Sequence, residues 1–113
     1  MLDWVDYRNQ LMGRIGEIAK LSPATVQGYQ MLSGAGARTN HLGAKTRELI
    51  ALAVSVTTRC DCCITVHTAE ALKQGATKDE IAEALGVAVA LNAGAALVYS
   101  ARVMDATEAY SKA

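Results

Sequence analysis

The stretch Arg47–Leu85 reads RELIALAVSVTTRCDCCITVHTAEALKQGATKDEIAEAL. It begins inside a helix that we predict over Lys45–Thr58. The segment Leu49–Val56 is almost wholly apolar, a pattern typical of a helix buried on nearly every face. Residues Val54–Thr58 are rich in β-branched side chains and could form a strand by propensity alone. No partner strand is evident elsewhere in the sequence, so a helix is favoured.

Two more helices are predicted within the same stretch. One begins close to Cys60 and ends at Gly75, because glycine is common just after the last residue of a helix. The next opens with Thr77-Lys78-Asp79-Glu80, in which Thr and Glu are spaced as in a capping box, and continues to about Leu91. Three consecutive helices therefore make up the middle of the chain.

Helical patterns also flank this region. Apolar residues at helical spacing predict a helix over Leu2–Leu21, and Ser22-Pro23 is a helix start signal that predicts a second helix to about Leu32. We expect Ser33-Gly34-Ala35-Gly36 to break that helix. We also expect Asn92-Ala93-Gly94 to separate the helix ending near Leu91 from a last one over Ala95–Tyr110. The sequence thus predicts an all-α fold, a compact bundle of about six helices.

Length and composition indicate a single domain that spans residues 1–113. Hydrophobic residues make up 51% of the chain, which predicts a packed core, but aromatic residues make up only 4%. Small side chains let helices approach closely, yet each buries little apolar area. A chain of this size would gain stability by burying more surface against copies of itself, so we expect a homo-oligomer.

Charge and hydropathy argue against binding to nucleic acid or membranes. Eleven basic and eleven acidic residues balance, and neither kind is gathered into a run. The polar segment Met1–Gln10 does not resemble a signal peptide. The longest apolar stretch, Ala84–Val98, has 15 residues, fewer than the roughly 20 needed to cross a bilayer. We therefore expect a cytoplasmic protein.

The segment Cys60-Asp61-Cys62-Cys63-Ile64-Thr65-Val66-His67 holds the residues best suited to chemistry. Cys60 and Cys63 are three positions apart and His67 follows after four more, so a helix places all three on one face. The positive end of a helix dipole favours thiolate over thiol. The pair could form a reversible disulfide, while His67 could move the proton of the Cys63 thiol. A buried carboxylate on a neighbouring helix could hold the imidazole in place.

Other interpretations of these residues stay open at this point. The CxxC could be half of a zinc site, although the remaining ligands would have to come from Cys62 or His41 in unfavourable directions. The cysteines could be inert and buried, as free cysteine often is. The chain could also be a non-catalytic oligomeric binding protein. Spacing alone does not distinguish Glu48 from Glu70 or Glu80.

A family resemblance favours the redox interpretation. Glu48, followed by eleven residues and then Cys60-x-x-Cys63-x-x-x-His67, resembles the signature of AhpD-like alkylhydroperoxidases, a branch of the carboxymuconolactone decarboxylase family. The similarity covers about residues 42–99 and includes the Gly-Ala-Thr that precedes the capped helix. It implies an all-α fold, assembly as a homo-trimer or homo-hexamer, and peroxide reduction by the cysteine pair with no metal or other cofactor.

The resemblance also implies roles for individual residues. Cys63 would be the thiol that the hydroperoxide substrate oxidises, and Cys60 would resolve the product as a disulfide. A dithiol or lipoyl-type reductant would then reduce the pair. His67, acting through a water, and Glu48 would relay the proton that Cys63 gives up.

One residue departs from the best-studied peroxidase branch, which has a histidine where this chain has Cys62. The other branch of the family implies a different reaction, decarboxylation of a carboxymuconolactone. That branch works without a redox cysteine pair, so the presence of Cys60 and Cys63 argues against it.

Overall fold

The computed structural model describes residues 1–112 and contains five α-helices within that range. They are α1 (Trp4–Leu21), α2 (Pro23–Thr39), α3 (Ala44–Thr58), α4 (Asp61–Lys73) and α5 (Lys78–Ser111). The described residues form no strand, which confirms the predicted all-α class. The β-branched end of α3 is also helical, and its threonine hydroxyl groups bond to backbone carbonyls four residues earlier. Thr57 donates to Ala53 and Thr58 to Val54.

Several helix ends form where local signals predict them. Ser22 and Pro23 begin α2, and Gly75 adopts a left-handed φ of 89° after α4. Thr77 and Glu80 form a reciprocal capping box at the start of α5, with hydrogen bonds of 3.1 and 2.9 Å. Lys45 Nζ also donates to Glu80 Oε2 at 2.8 Å, which ties α3 to the start of α5. This hydrogen bond, followed by the one from the Thr77 backbone N–H, lowers the pKa of Glu80.

The predicted break at Ser33–Gly36 is wrong, because α2 continues through it to Thr39. Glycine inside a helix costs only about 1 kcal/mol relative to alanine, so it does not end a helix by itself. Gly36 instead permits a close approach. A Cβ at this position would lie 2.7 Å from Cδ of Arg47 on α3. The glycine therefore makes room for a neighbouring helix's side chain.

The predicted break at Asn92-Ala93-Gly94 is also wrong, since α5 is continuous from Lys78 to Ser111. Asn92 Nδ2 donates to the Ala88 carbonyl at 2.7 Å and to Thr57 Oγ1 at 2.8 Å. Its amide thus ties α5 to α3 while remaining within the helix. This continuity reduces the predicted six helices to five in residues 1–112.

The core lies where α3 packs on both α4 and α5, while α1 packs on α2 and α4. The buried side chains among residues 1–112 are few and mostly small: Leu52, Ser55, Thr65, Ala71, Ala76 and Ala88. The expectation that Leu49–Val56 is buried on nearly every face is wrong for a single chain, because Ile50, Val54 and Val56 are exposed. The Cα radius of gyration is 18.9 Å, whereas a compact chain of this length would have about 13 Å.

The long helix α5 is largely exposed. Ala88 is its one buried residue in the described chain, and Leu97 and Val98 are each 75% exposed. By length and composition alone, α5 could cross a membrane: an 18-residue window has a mean hydropathy of 1.8 and is 6% buried. A core helix of a soluble protein meets the same two criteria. The length argument from the 15-residue apolar stretch no longer applies, because the helix that contains this stretch has 34 residues.

We expect the chain to assemble as three or six copies, with α3 residues 49–56 or α5 residues 84–98 in the interface. The free energy from so little buried apolar surface would not offset the conformational entropy of folding. Light scattering coupled to gel filtration at micromolar concentration measures the assembly. Val98→Lys should shift the population towards smaller species, whereas Gln10→Lys on α1 is the control. A stable, soluble wild-type monomer would contradict this prediction.

Candidate active site

The site begins at the tight turn between α3 and α4. Arg59 adopts a left-handed conformation with φ 55°, and the Cys60 N–H donates to the Ser55 carbonyl at 3.0 Å. Cys60 then serves as the N-cap of α4, and its Sγ accepts a hydrogen bond from the Cys63 N–H at 3.2 Å. The sulfur therefore lies at the positive end of the helix, where a thiolate is favoured over a thiol.

Cys60 and Cys63 form a disulfide across Cα atoms that are 5.2 Å apart. This separation lies within the usual range for disulfides. Both residues are half-buried. The CxxC spacing thus produces the pairing that the motif predicts, and Cys62 is left as a free, half-buried thiol.

Helix α3 supplies a carboxylate to the histidine that follows the cysteines. Glu48 Oε2 lies 2.7 Å from His67 Nδ1, and the Glu48 and His67 side chains are 18% and 28% exposed, respectively. An ionised carboxylate only accepts hydrogen bonds, so the ring must donate through Nδ1. Within residues 1–112, His67 Nε2 makes no hydrogen bond and is available to exchange a proton. The structure thus brings Glu48, Cys60, Cys63 and His67 into one site.

A cleft of about 310 Å³ opens beside the disulfide. Helix α4 contributes Cys63 and His67 to its lining, whereas Cys60 and Glu48 are not among the described lining residues. The opposite wall is one face of α3, formed by Arg47, Ile50, Ala51, Val54, Ser55 and Thr58. Of the two disulfide cysteines, Cys63 is therefore the one that faces a space large enough for a small ligand.

The wall on α3 was not identified from the sequence, although its residues recur at helical spacing. Positions 47, 51, 54 and 58 share one helix face. Every face of a helix shows the same spacing of residues. The pattern therefore identifies a cleft wall only once α4 is known to pack beside this face. Arg47 is the charged member of this set, and its Nη1 donates to Asn40 Oδ1 at 2.9 Å.

A second contact that the sequence did not predict holds α4 on the side that faces α1. Buried Thr65 donates through Oγ1 to the Trp4 carbonyl at 3.0 Å. That carbonyl lies at the first residue of α1. The contact holds the middle of α4, between Cys63 and His67, against the N-terminal helix.

Comparisons with known proteins identify the same family as the motif. The model of the carboxymuconolactone decarboxylase family matches residues 23–106. A solved structure with the same fold is apo-lpg0406 of Legionella pneumophila, a carboxymuconolactone decarboxylase family protein. It has a TM-score of 0.75 and 31% identity, with 93% of this chain and 94% of that chain covered.

Curated relatives match over most of their length. An uncharacterized protein of Haemophilus influenzae is 53% identical over 104 residues, which cover 92% of each chain. An uncharacterized protein encoded in the cox locus of Paracoccus denitrificans is 32% identical, covering 80% of this chain and 81% of the relative. These matches extend well beyond the cysteine motif.

The geometry predicts which disulfide forms first when the reduced protein is oxidised. We expect Cys60–Cys63 to dominate, because the helix brings these two sulfurs together and points Cys62 about 100° away from Cys63. Peptide mapping after one equivalent of oxidant measures the pairing, and Cys62→Ala is the control that should form the same bridge. A dominant disulfide containing Cys62 would contradict the assignment.

Proposed function

The chain belongs to the carboxymuconolactone decarboxylase family, and within it we propose that this protein is a thiol-dependent hydroperoxide reductase of the AhpD-like kind. One observation carries the proposal. Cys63 lines a cleft together with His67, while its disulfide partner Cys60 lies at the helix start behind it. A ligand in the cleft would meet one thiol and one proton carrier, with a second thiol within bonding reach.

In the first step, the Cys63 thiolate attacks the terminal oxygen of a hydroperoxide. A sulfur–oxygen bond forms, the oxygen–oxygen bond breaks, and its electron pair leaves on the alkoxide. His67 gives that alkoxide a proton, so the products are an alcohol and Cys63 sulfenic acid. The peroxide is reduced by two electrons and the sulfur is oxidised by two.

In the second step, the Cys60 thiolate attacks the Cys63 sulfur. The disulfide forms and hydroxide departs, taking a proton to leave as water. Cys60 is suited to this role because its sulfur accepts the Cys63 N–H at the start of α4, an environment that favours the thiolate. The Cα atoms of Cys60 and Cys63 are 5.2 Å apart, a separation that suits this disulfide.

An external dithiol would complete the cycle. One of its thiolates attacks a sulfur of the pair to give a mixed disulfide, and its second thiol displaces that sulfur. The dithiol becomes a disulfide, and Cys60 and Cys63 regain their two electrons and two protons. A lipoyl-type dithiol is the reductant we propose, since its two linked thiols make the second exchange intramolecular.

Glu48 would act through His67 as a positioning residue. Its carboxylate accepts from Nδ1 at 2.7 Å, which fixes the ring and leaves Nε2 to exchange protons. When the ring carries both protons, the same carboxylate stabilises its positive charge.

Variants of the two cysteines test the proposed roles. Cys63→Ser should abolish peroxide consumption, because the attacking thiolate is gone. Cys60→Ser should undergo one rapid oxidation to a sulfenic acid and then stop, because no resolving thiol remains. Mass spectrometry after one equivalent of peroxide, with dimedone to trap sulfenic acid, measures both outcomes.

The control for the cysteine experiment is Cys62→Ser, which should behave like the wild-type chain in this single turnover. Sulfenic acid in Cys63→Ser together with an inert Cys60→Ser would mean that the roles are reversed. Wild-type turnover of a carboxymuconolactone without peroxide consumption would instead select the decarboxylase reaction.

Variants of the proton relay provide a separate test. Glu48→Gln preserves the shape of the side chain but removes its charge, and we expect peroxide reduction to slow about 10²-fold, at the lower end of the usual range for an acid–base group. His67→Ala should be at least as damaging. The double variant should be little worse than His67→Ala, because both residues serve one relay. Additive effects in steady-state peroxide assays would show that Glu48 acts independently of His67.

A further inference from the structure

Arg47 gives the cleft a permanent positive charge beside the redox pair. It lines the same cleft as Cys63 and His67 and is half-buried. Its side-chain hydrogen bond goes to the uncharged Asn40, and no carboxylate of residues 1–112 forms a salt bridge with it. The hydrogen bond to Asn40 is exposed, so the guanidinium is open to an incoming anion.

The guanidinium is held in place before any ligand arrives. Its aliphatic part passes close to Gly36, where even a Cβ atom would be only 2.7 Å from Arg47 Cδ. Asn40, in a left-handed conformation at the end of α2, accepts from Nη1. A guanidinium has five N–H donors, so one hydrogen bond to Asn40 leaves most of them available. Its planar fork matches a carboxylate in a bidentate arrangement.

The rest of the α3 wall is apolar. Ile50, Ala51 and Val54 contribute hydrocarbon surface. The hydroxyl groups of Ser55 and Thr58 donate to carbonyls of their own helix, to Ala51 at 2.6 Å and to Val54 at 3.1 Å. The cleft therefore complements an apolar body that carries one acidic group. At about 310 Å³, it is at the small end of ligand pockets.

We propose that the substrate is a small organic hydroperoxide that carries a carboxylate, and that Arg47 binds this carboxylate and determines specificity. The proposal rests on the hydroperoxide reductase function. The apolar body lies along α3, and the terminal peroxide oxygen is presented to Cys63. The redox step is the one already written, with the hydroxy acid and Cys63 sulfenic acid as its products.

Two matched probes test this specificity. One is cumene hydroperoxide with a para carboxylate, and the other is its methyl ester, which has similar size and reactivity but no charge. The reduced wild-type chain, freed of reductant, is mixed with each probe and its thiol loss is followed by rapid quench. The carboxylate should react about tenfold to a hundredfold faster, as expected for a charge-assisted hydrogen bond. Added salt should diminish the preference by screening the charges.

Variants of Arg47 test whether this residue causes the preference for the carboxylate probe. Arg47→Met retains an unbranched stem beside Gly36 but removes the charge, so the ratio of the two rate constants should fall towards one. Arg47→Lys should retain part of the ratio. Arg8→Met is the control, because it makes the same change at an exposed arginine on α1 that is not among the described cleft-lining residues. Its ratio should equal that of the wild-type chain.

Equal rate constants for the two probes with the wild-type chain would overturn the proposal. A preference that persists in Arg47→Met would also overturn it. If circular dichroism shows that Arg47→Met does not fold, the salt dependence of the wild-type ratio decides. A carboxylate preference that salt leaves unchanged then counts against an ionic contact.

Failure of the underlying peroxidase function has a different signature, in which neither probe nor hydrogen peroxide oxidises the cysteine pair. The carboxylate site is then judged by binding of unreactive 4-isopropylbenzoate to the disulfide form. Binding should perturb the ring resonances of His67, which lines the cleft. Arg47→Met should lose this binding. No binding to the wild-type chain would overturn the site itself.

Discussion

The position at which α4 begins governs the geometry of the whole site. Arg59 reverses the chain in a left-handed conformation, and the Cys60 N–H bonds to the Ser55 carbonyl, so the first helical residue is Asp61. Cys60 thereby becomes the cap and Cys63 the residue that donates to it. His67 follows one turn after Cys63 on the same face. A shift of one residue in this start would turn both Cys63 and His67 away from α3, because side chains rotate about 100° per residue.

Polar contacts between helices contribute strongly to that geometry because the apolar core is small. Alanines and one leucine make up the buried apolar residues in the described chain, and such small side chains pack tightly without fixing rotation strongly. Each helix beside the site is also held by a directional bond. Glu48 joins α3 to His67, Thr65 joins α4 to the Trp4 carbonyl, and Asn92 joins α5 to Thr57. Hydrogen bonds constrain angle as well as distance, so they define the register in which the helices pack.

The sequence predicted features that depend on neighbours along the chain and missed those that depend on neighbours in space. The capping box at Thr77 and the CxxC disulfide are local, since each joins two residues that are three positions apart at the start of a helix. Gly36 and Asn92 look like helix breakers until their partners are known; one accommodates Arg47 and the other bonds to Thr57. Spacing could not distinguish Glu48 from other glutamates. The family resemblance singled it out, and its contact with His67 depends on how α3 packs on α4.

Two adjacent residues of α3 carry opposite charges and bind different partners. Glu48 bonds to His67 on α4, while Arg47 bonds to Asn40 at the end of α2 and lines the cleft. If the two side chains paired with each other, Glu48 would no longer orient the imidazole and the cleft would lose its free cation. Side chains one position apart on a helix point in directions about 100° apart, which favours their separate partners. The redox cysteines and histidine are carried by α4, and the wall that would select a substrate is carried by α3. Substitutions along that wall could therefore change the ligand while the spacing of Cys60, Cys63 and His67 stays intact.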